Sequence, residues 1–238
     1  MIRLPLPYFC SYFVQMDHRV FGSGTVMIDA VTLDFLSQAA RNSEHDWLQE
    51  NRGQLALARS NLVEFAARLI ADAGAVDSRI RDANPDPRKC LSPSMPKGYG
   101  AITFRVSPLK NAAATYFVKL APQGSFSGGG ALIPPPRLAR ILMQTIASHT
   151  GKWRAIVEGP EFRKYFPNGL SDGRDMTSKG YVKNHDALDF FNLRHFGACR
   201  TIPDDLLISA HLVEEIVRSF VAARPLVDYI NRSTTRLA

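Results

Sequence analysis

Cysteine is scarce and poorly spaced for any joint task, with only Cys10, Cys90 and Cys199 in 238 residues. An odd, scattered set argues against a disulfide framework, has no metal-ligand spacing, and points to a reducing, cytoplasmic setting. No apolar run is long enough to span a bilayer. The nearest approach, LPLPYFCSYFVQM after Arg3, is broken by Pro5 and Pro7 and shows no clear small-residue cleavage pattern, which argues against a secretory signal. Internal repeats and low-complexity segments are also missing. So are a phosphate-binding Gly-Lys-Ser/Thr, a dinucleotide fingerprint opening a helix and any zinc spacing. The sequence therefore names no reaction outright, and it assigns no cofactor and no metal.

What is present fits an ordinary globular protein: 45% hydrophobic and 21% charged residues in 26.4 kDa, enough for one good core. Residues 1–26 show neither helical nor strand period and read as a disordered or non-native extension, with Met27 an alternative start. Residues 27–238 read as a single α+β domain. The formal charge of +7 is unevenly placed. Residues 1–74 sum to −2, 75–119 to +5, 120–200 to +5 and 201–238 to −1, so the middle of the chain is the part fit to attract phosphate or acidic partners. The plainer reading is a solvated basic surface that aids solubility.

Periodicity orders the elements. A short helix is expected over Thr32–Ala40, and a second after Ser43, whose hydroxyl and Asp46 resemble a capping box, with Trp47 anchoring it in the core. A longer helix from Gln54 carries Leu55, Ala58, Leu62, Phe65 and Leu69 on one stripe and is expected to stop at Gly74. Residues 75–100, with Pro85, Pro87, Pro93 and Pro96, read as a mobile loop. Four strands follow: Ala101–Val106, Thr115–Leu120, one near Ser125 and one at Ala131–Ile133. Helical period returns after Pro134–Pro136 and again at Trp153–Val157, with Phe162, Tyr165 and Phe166 as core aromatics under a loop. A last long helix, Asp204–Ala223, is expected to end at Arg224-Pro225, before a short closing helix through Tyr229. Helices first, strands grouped in the middle and helices last define an α+β fold, a largely antiparallel central sheet flanked by N-terminal and C-terminal helices.

Three blocks carry a resemblance: DFL with NSEHDWLQENR (Asp34–Arg52), YFVKLAPQGSFSGGG with its prolines and LARI (Tyr116–Ile141), and KGYVKNHDALDFFNLRHF (Lys179–Phe196). Together they resemble a bacterial and fungal family of uncharacterised proteins, domain of unknown function 2461, over about Thr32 to Asn231. That family carries a charged signature, Arg-x-x-Arg-Asp-x-Arg-Phe followed by Asp or Asn, Lys and Tyr, just before the YFVKL-like strand. Here the signature is eroded. Arg105 falls on its third arginine, Ser107 on a common serine and Lys110 on its lysine, whereas Thr103, Val106 and Ala113 stand where aspartate, phenylalanine and tyrosine belong. Either the function carried there is lost in this branch, or the stretch from about Cys90 to Ala114 is aberrant.

The candidate ligand-binding residues follow. Arg105 and Lys110, the surviving signature cations, would supply a bidentate fork and a point charge to an anion, with Lys179 and Arg194 as companions. Ser127 and Gly128, Gly129 and Gly130 could present backbone N–H groups to it, or simply mark a bulge or crossing point in the sheet. His185, beside Asp186 and Asp189, offers acid-base chemistry; the structural reading is a turn residue before a helix start. The leading functional reading is a binding module for a phosphate- or carboxylate-bearing ligand. An enzyme using the signature region with His185, impaired here by the lost aspartate and tyrosine, is the alternative. Nucleic-acid binding ranks third, because aromatic and basic residues do not interleave along the chain.

Overall fold

A computed structural model of the chain describes residues 28–42, 45–107, 113–171 and 195–235. The N-terminal extension 1–26, Met27 and the proposed cap Ser43 lie outside the described residues. The helices α1 (Ala30–Arg41), α2 (His45–Glu50) and α3 (Arg52–Val76) come first. The expected stripe on α3 is buried at Ala58, Leu62, Phe65 and Leu69. Trp47 corrects an expectation: it is only partly buried, stacked on fully buried Phe35 with ring centroids 5.8 Å apart.

The proline-rich stretch is not a bare loop. Helix α3 passes Gly74, and Asp77 then turns extended and accepts the Arg79 amide to start α4 (Ser78–Ala83). Asp86 caps a 3-10 turn at Pro87–Cys90 in the same way, and another turn spans Met95–Lys97. Proline fits the first turn of each, where its missing N–H would have no partner in any case. Asn84, Cys90, Ser94 and Met95 are consequently buried.

Strands β1 (Gly100–Phe104), β2 (Thr115–Leu120), β3 (Ser125–Ala131) and β4 (Phe196–Ile202) form one antiparallel sheet in that order. Two strand expectations are corrected. The residues near Ser125 and Ala131 belong to a single strand running through the triple glycine, and the fourth strand is Phe196–Ile202. Between β3 and β4 lie α5 (Pro136–Ser148), α6 (Thr150–Val157) and α7 (Pro160–Tyr165); the last carries Phe162 and Tyr165 into the core.

After the short α8 (Asp204–Leu207), the final helix α9 (Leu212–Thr235) runs straight through Pro225. Proline inside a helix removes one backbone bond and crowds the preceding turn, a cost of about 3 kcal/mol. The apolar stripe Phe220, Ala223, Leu226, Val227 and Ile230, all buried, continues across it and offsets that cost. Phe220 stacks on Tyr116 at 4.9 Å and meets Phe104 edge-on at 5.8 Å, which seats α9 on the inward face of the sheet.

Candidate functional site

Strand polarity gathers the candidate segments. The β1–β2 connection leaves and re-enters the sheet at the same end where β3 finishes and β4 begins. Arg105 stands there, just beyond Phe104. Its backbone is held at both groups by the buried side chain of Asn84: the Arg105 amide donates to Oδ1 at 3.1 Å and its carbonyl accepts from Nδ2 at 2.8 Å. The guanidinium is exposed and reaches the Ala83 carbonyl at 3.5 Å.

The serine and glycines do not offer free donors. Gly128–Gly130 lie in the third strand and are paired with β2 on one side and β4 on the other, so the sheet ladders use their backbone groups. Ser127 is buried with its Oγ 2.8 Å from Ser219 Oγ, and Ser219 donates in turn to the Ile216 carbonyl at 2.7 Å. The pair ties β3 to α9. Gly130 belongs to the same sheet end as Arg105, but β2 lies between them, a separation of about 10 Å. Lys110, Lys179, His185 and Arg194 lie outside the described residues.

Near the same end is an ion network that the sequence reading missed. Arg79 forks onto Asp77 at 2.8 and 2.6 Å and reaches Asp228 on α9 at 2.8 Å. Arg224 approaches Asp77, and Arg232 approaches Asp228, each at 3.7 Å. Burial disfavours the charged form of Asp77, yet the hydrogen bonds and charge of Arg79, aided by Arg224, outweigh it and hold the carboxyl below the usual aspartate range. Burial raises the Tyr116 phenol, and the charges of Asp77 and Asp228 push it further the same way, so it stays protonated at neutral pH. One further tie closes the end: Asn231 of α9 accepts the Ala114 amide at 2.9 Å and donates to its carbonyl at 3.1 Å. Aspartate before a helix with arginine two residues later was a readable local signal. Asp228, 149 residues from Arg79, gave none.

The two described cysteines are poor nucleophiles. Burial pushes both Cys90 and Cys199 thiols up to about 11, which leaves them protonated and unreactive at neutral pH. Among the described residues no three His, Cys, Asp or Glu side chains converge to hold a metal, and no helix is long and apolar enough to cross a membrane.

An α+β protein with an antiparallel four-stranded sheet and a charged sheet end is what these residues build. Residues 96–229 match the family described as conserved hypothetical protein, DUF2461, and the chain belongs to that family. The match takes in all four strands and most of α9 but starts after the early block Asp34–Arg52. No curated protein and no solved structure matches the chain.

Proposed function

We propose that the protein is a binding module for a small phosphate- or carboxylate-bearing ligand, with Arg105 as its principal described contact. The observation that carries this is the contrast between Arg105 and other arginines of the fold. Arg79 and Arg218 are neutralised by carboxylates at hydrogen-bond distance, whereas Arg105 has an exposed guanidinium on a backbone clamped by Asn84, with no carboxylate partner among the described residues. An exposed guanidinium fork on a clamped backbone suits bidentate recognition of an oxyanion. Lys110, five positions along the same connection, would add a point charge.

Titration calorimetry with tripolyphosphate and with citrate tests the reading. Arg105→Ala should weaken binding of one of them about tenfold, the worth of one charge-assisted contact. Arg59→Ala, which removes an exposed cation from α3, should change it less than about twofold at the same ionic strength. Equal losses in both variants, vanishing together with added salt, would leave only diffuse attraction and overturn the site.

A further inference from the structure

One stretch of the chain is unusual in charge: residues 87–157 contain ten Lys and Arg and not one Asp or Glu, although the whole protein has 22 acidic residues. That stretch builds β1, β2 and β3 entirely. The helices α3 and α9 pack on one face of the sheet; the other face carries the alternate side chains. Its first cross-strand row is Ala101, Lys119, Phe126 and Thr201, set side by side by the strand register. None of the four is buried. The Lys119 ammonium lies between two rings, 5.0 Å from the centroid of Tyr99 and 5.7 Å from that of Phe126. The next row, Thr103, Phe117, Gly128 and Cys199, is open at Thr103 and closed at Phe117 and Gly128. Alternation continues the same face to exposed Arg105, about 13 Å along from Ala101. No position of these rows carries a carboxylate. The nearest acid by connection, Asp204, is engaged with the Gln123 amide at the β2–β3 turn.

Aromatic and basic groups that do not interleave along the sequence thus interleave across the strands. We propose that this row of the sheet binds single-stranded nucleic acid, with a base stacking on Phe126 or Tyr99 and a phosphate taking the Lys119 ammonium. Flat rings at half-open positions, a cation between them and rows without a carboxylate among the described residues match the two things a single strand presents, π-faces and a chain of phosphates. Lys119 in the first row and Arg105 further along the same face suit a ligand that carries more than one phosphate, which favours a strand over a free nucleotide. The proposal shares with the anion-binding reading only the demand for phosphate; its aromatic groups are independent of Arg105.

Fluorescence anisotropy with a labelled oligothymidylate of about twelve nucleotides, within the usual footprint of one small domain, tests it on the full chain, beside a duplex of equal length and free thymidine monophosphate. The single strand should bind more tightly than either. Tyr99→Ala and Phe126→Ala should each weaken it about fivefold or more, equally at low and moderate salt, because stacking is not screened. Phe126→Leu keeps an apolar side chain and guards against misfolding; it should bind as weakly as Phe126→Ala while melting like the parent. Lys119→Ala should lower the salt slope by about one. Duplex binding as tight as the single strand, full affinity in Phe126→Leu, or no binding at all would overturn the proposal. Tripolyphosphate binding that depends on Arg105 would survive any of those results, so the two readings fail separately.

Discussion

Replacing Gly130 by alanine is expected to destabilise the fold by about 3–5 kcal/mol, the sum of a strained backbone angle and an overpacked contact. Gly130 sits at φ 128°, a region that L side chains rarely enter. A Cβ built there would lie 2.3 Å from the Phe196 carbonyl oxygen and 2.5 Å from the Gly197 Cα, both backbone atoms of the neighbouring strand. Neither can move without opening the β3–β4 ladder. Gly151 in α6 is the internal control: nothing lies within 4 Å of its added Cβ, so Gly151→Ala should be neutral or stabilising by about 0.5–1 kcal/mol. Urea unfolding of the two variants decides the matter. A Gly130→Ala protein within about 1 kcal/mol of the parent would mean that β4 is not held against the glycines as described.

Arg79→Ala should cost about 2–3 kcal/mol. Breaking a fully buried ion pair costs about 3–5 kcal/mol; Arg79 is 39% exposed, and solvent screening lowers the figure. The loss arises chiefly at Asp77, whose side chain is 6% exposed and would keep only the amide of residue 79 and a distant Arg224. Arg79→Lys should recover part of the loss, since an ammonium restores charge but not the two-pronged geometry. The pH dependence has a definite sign. The folded carboxyl of Asp77 titrates below its unfolded value of about 3.9, so its contribution is complete above about pH 4 and disappears as pH falls through the lower folded value. The stability gap between the parent and Asp77→Asn, measured by chemical unfolding, should therefore be constant from pH 7 to about 5 and narrow below 4. A gap that widens on acidification would contradict the assignment.

The elements written in local patterns were legible. The α3 stripe, the alternating TYFVKL of β2 and the proline-opened α5 all form where period and propensity place them. The misses share a cause, which is tertiary contact overriding a local signal. FGACRTI has glycine, alanine and cysteine where a strand usually shows branched residues, and it becomes β4 by pairing along the whole of β3. The triple glycine suggested a break, yet it stays extended because α9 needs the room: a Cβ on Gly129 would come within 3.0 Å of Ala223, Tyr116 and Val227. Pro225 suggested a stop and was passed over because the residues beyond it are as apolar, and as buried, as those before. At the sheet end, Arg105 was legible as a retained cation. Its clamp, Asn84, was hidden in a proline-rich stretch that short side-chain caps convert into ordered turns.

The position of α9 in the chain bears on how the protein is made. Every strand is synthesised before the helix that covers the inward face, so a nascent chain that has extended only to Ile208 has all four strands but nothing on which Tyr116 and Phe104 can stack from above. The ties that lock the sheet end, Asp228 to Arg79 and Asn231 to Ala114, come later still, from the half of the helix beyond Pro225. Final closure of the core is thus deferred until those residues leave the ribosome. Until then the part of the apolar sheet face that α9 covers stays bare, the kind of surface that holding chaperones cover and that self-associates when they do not.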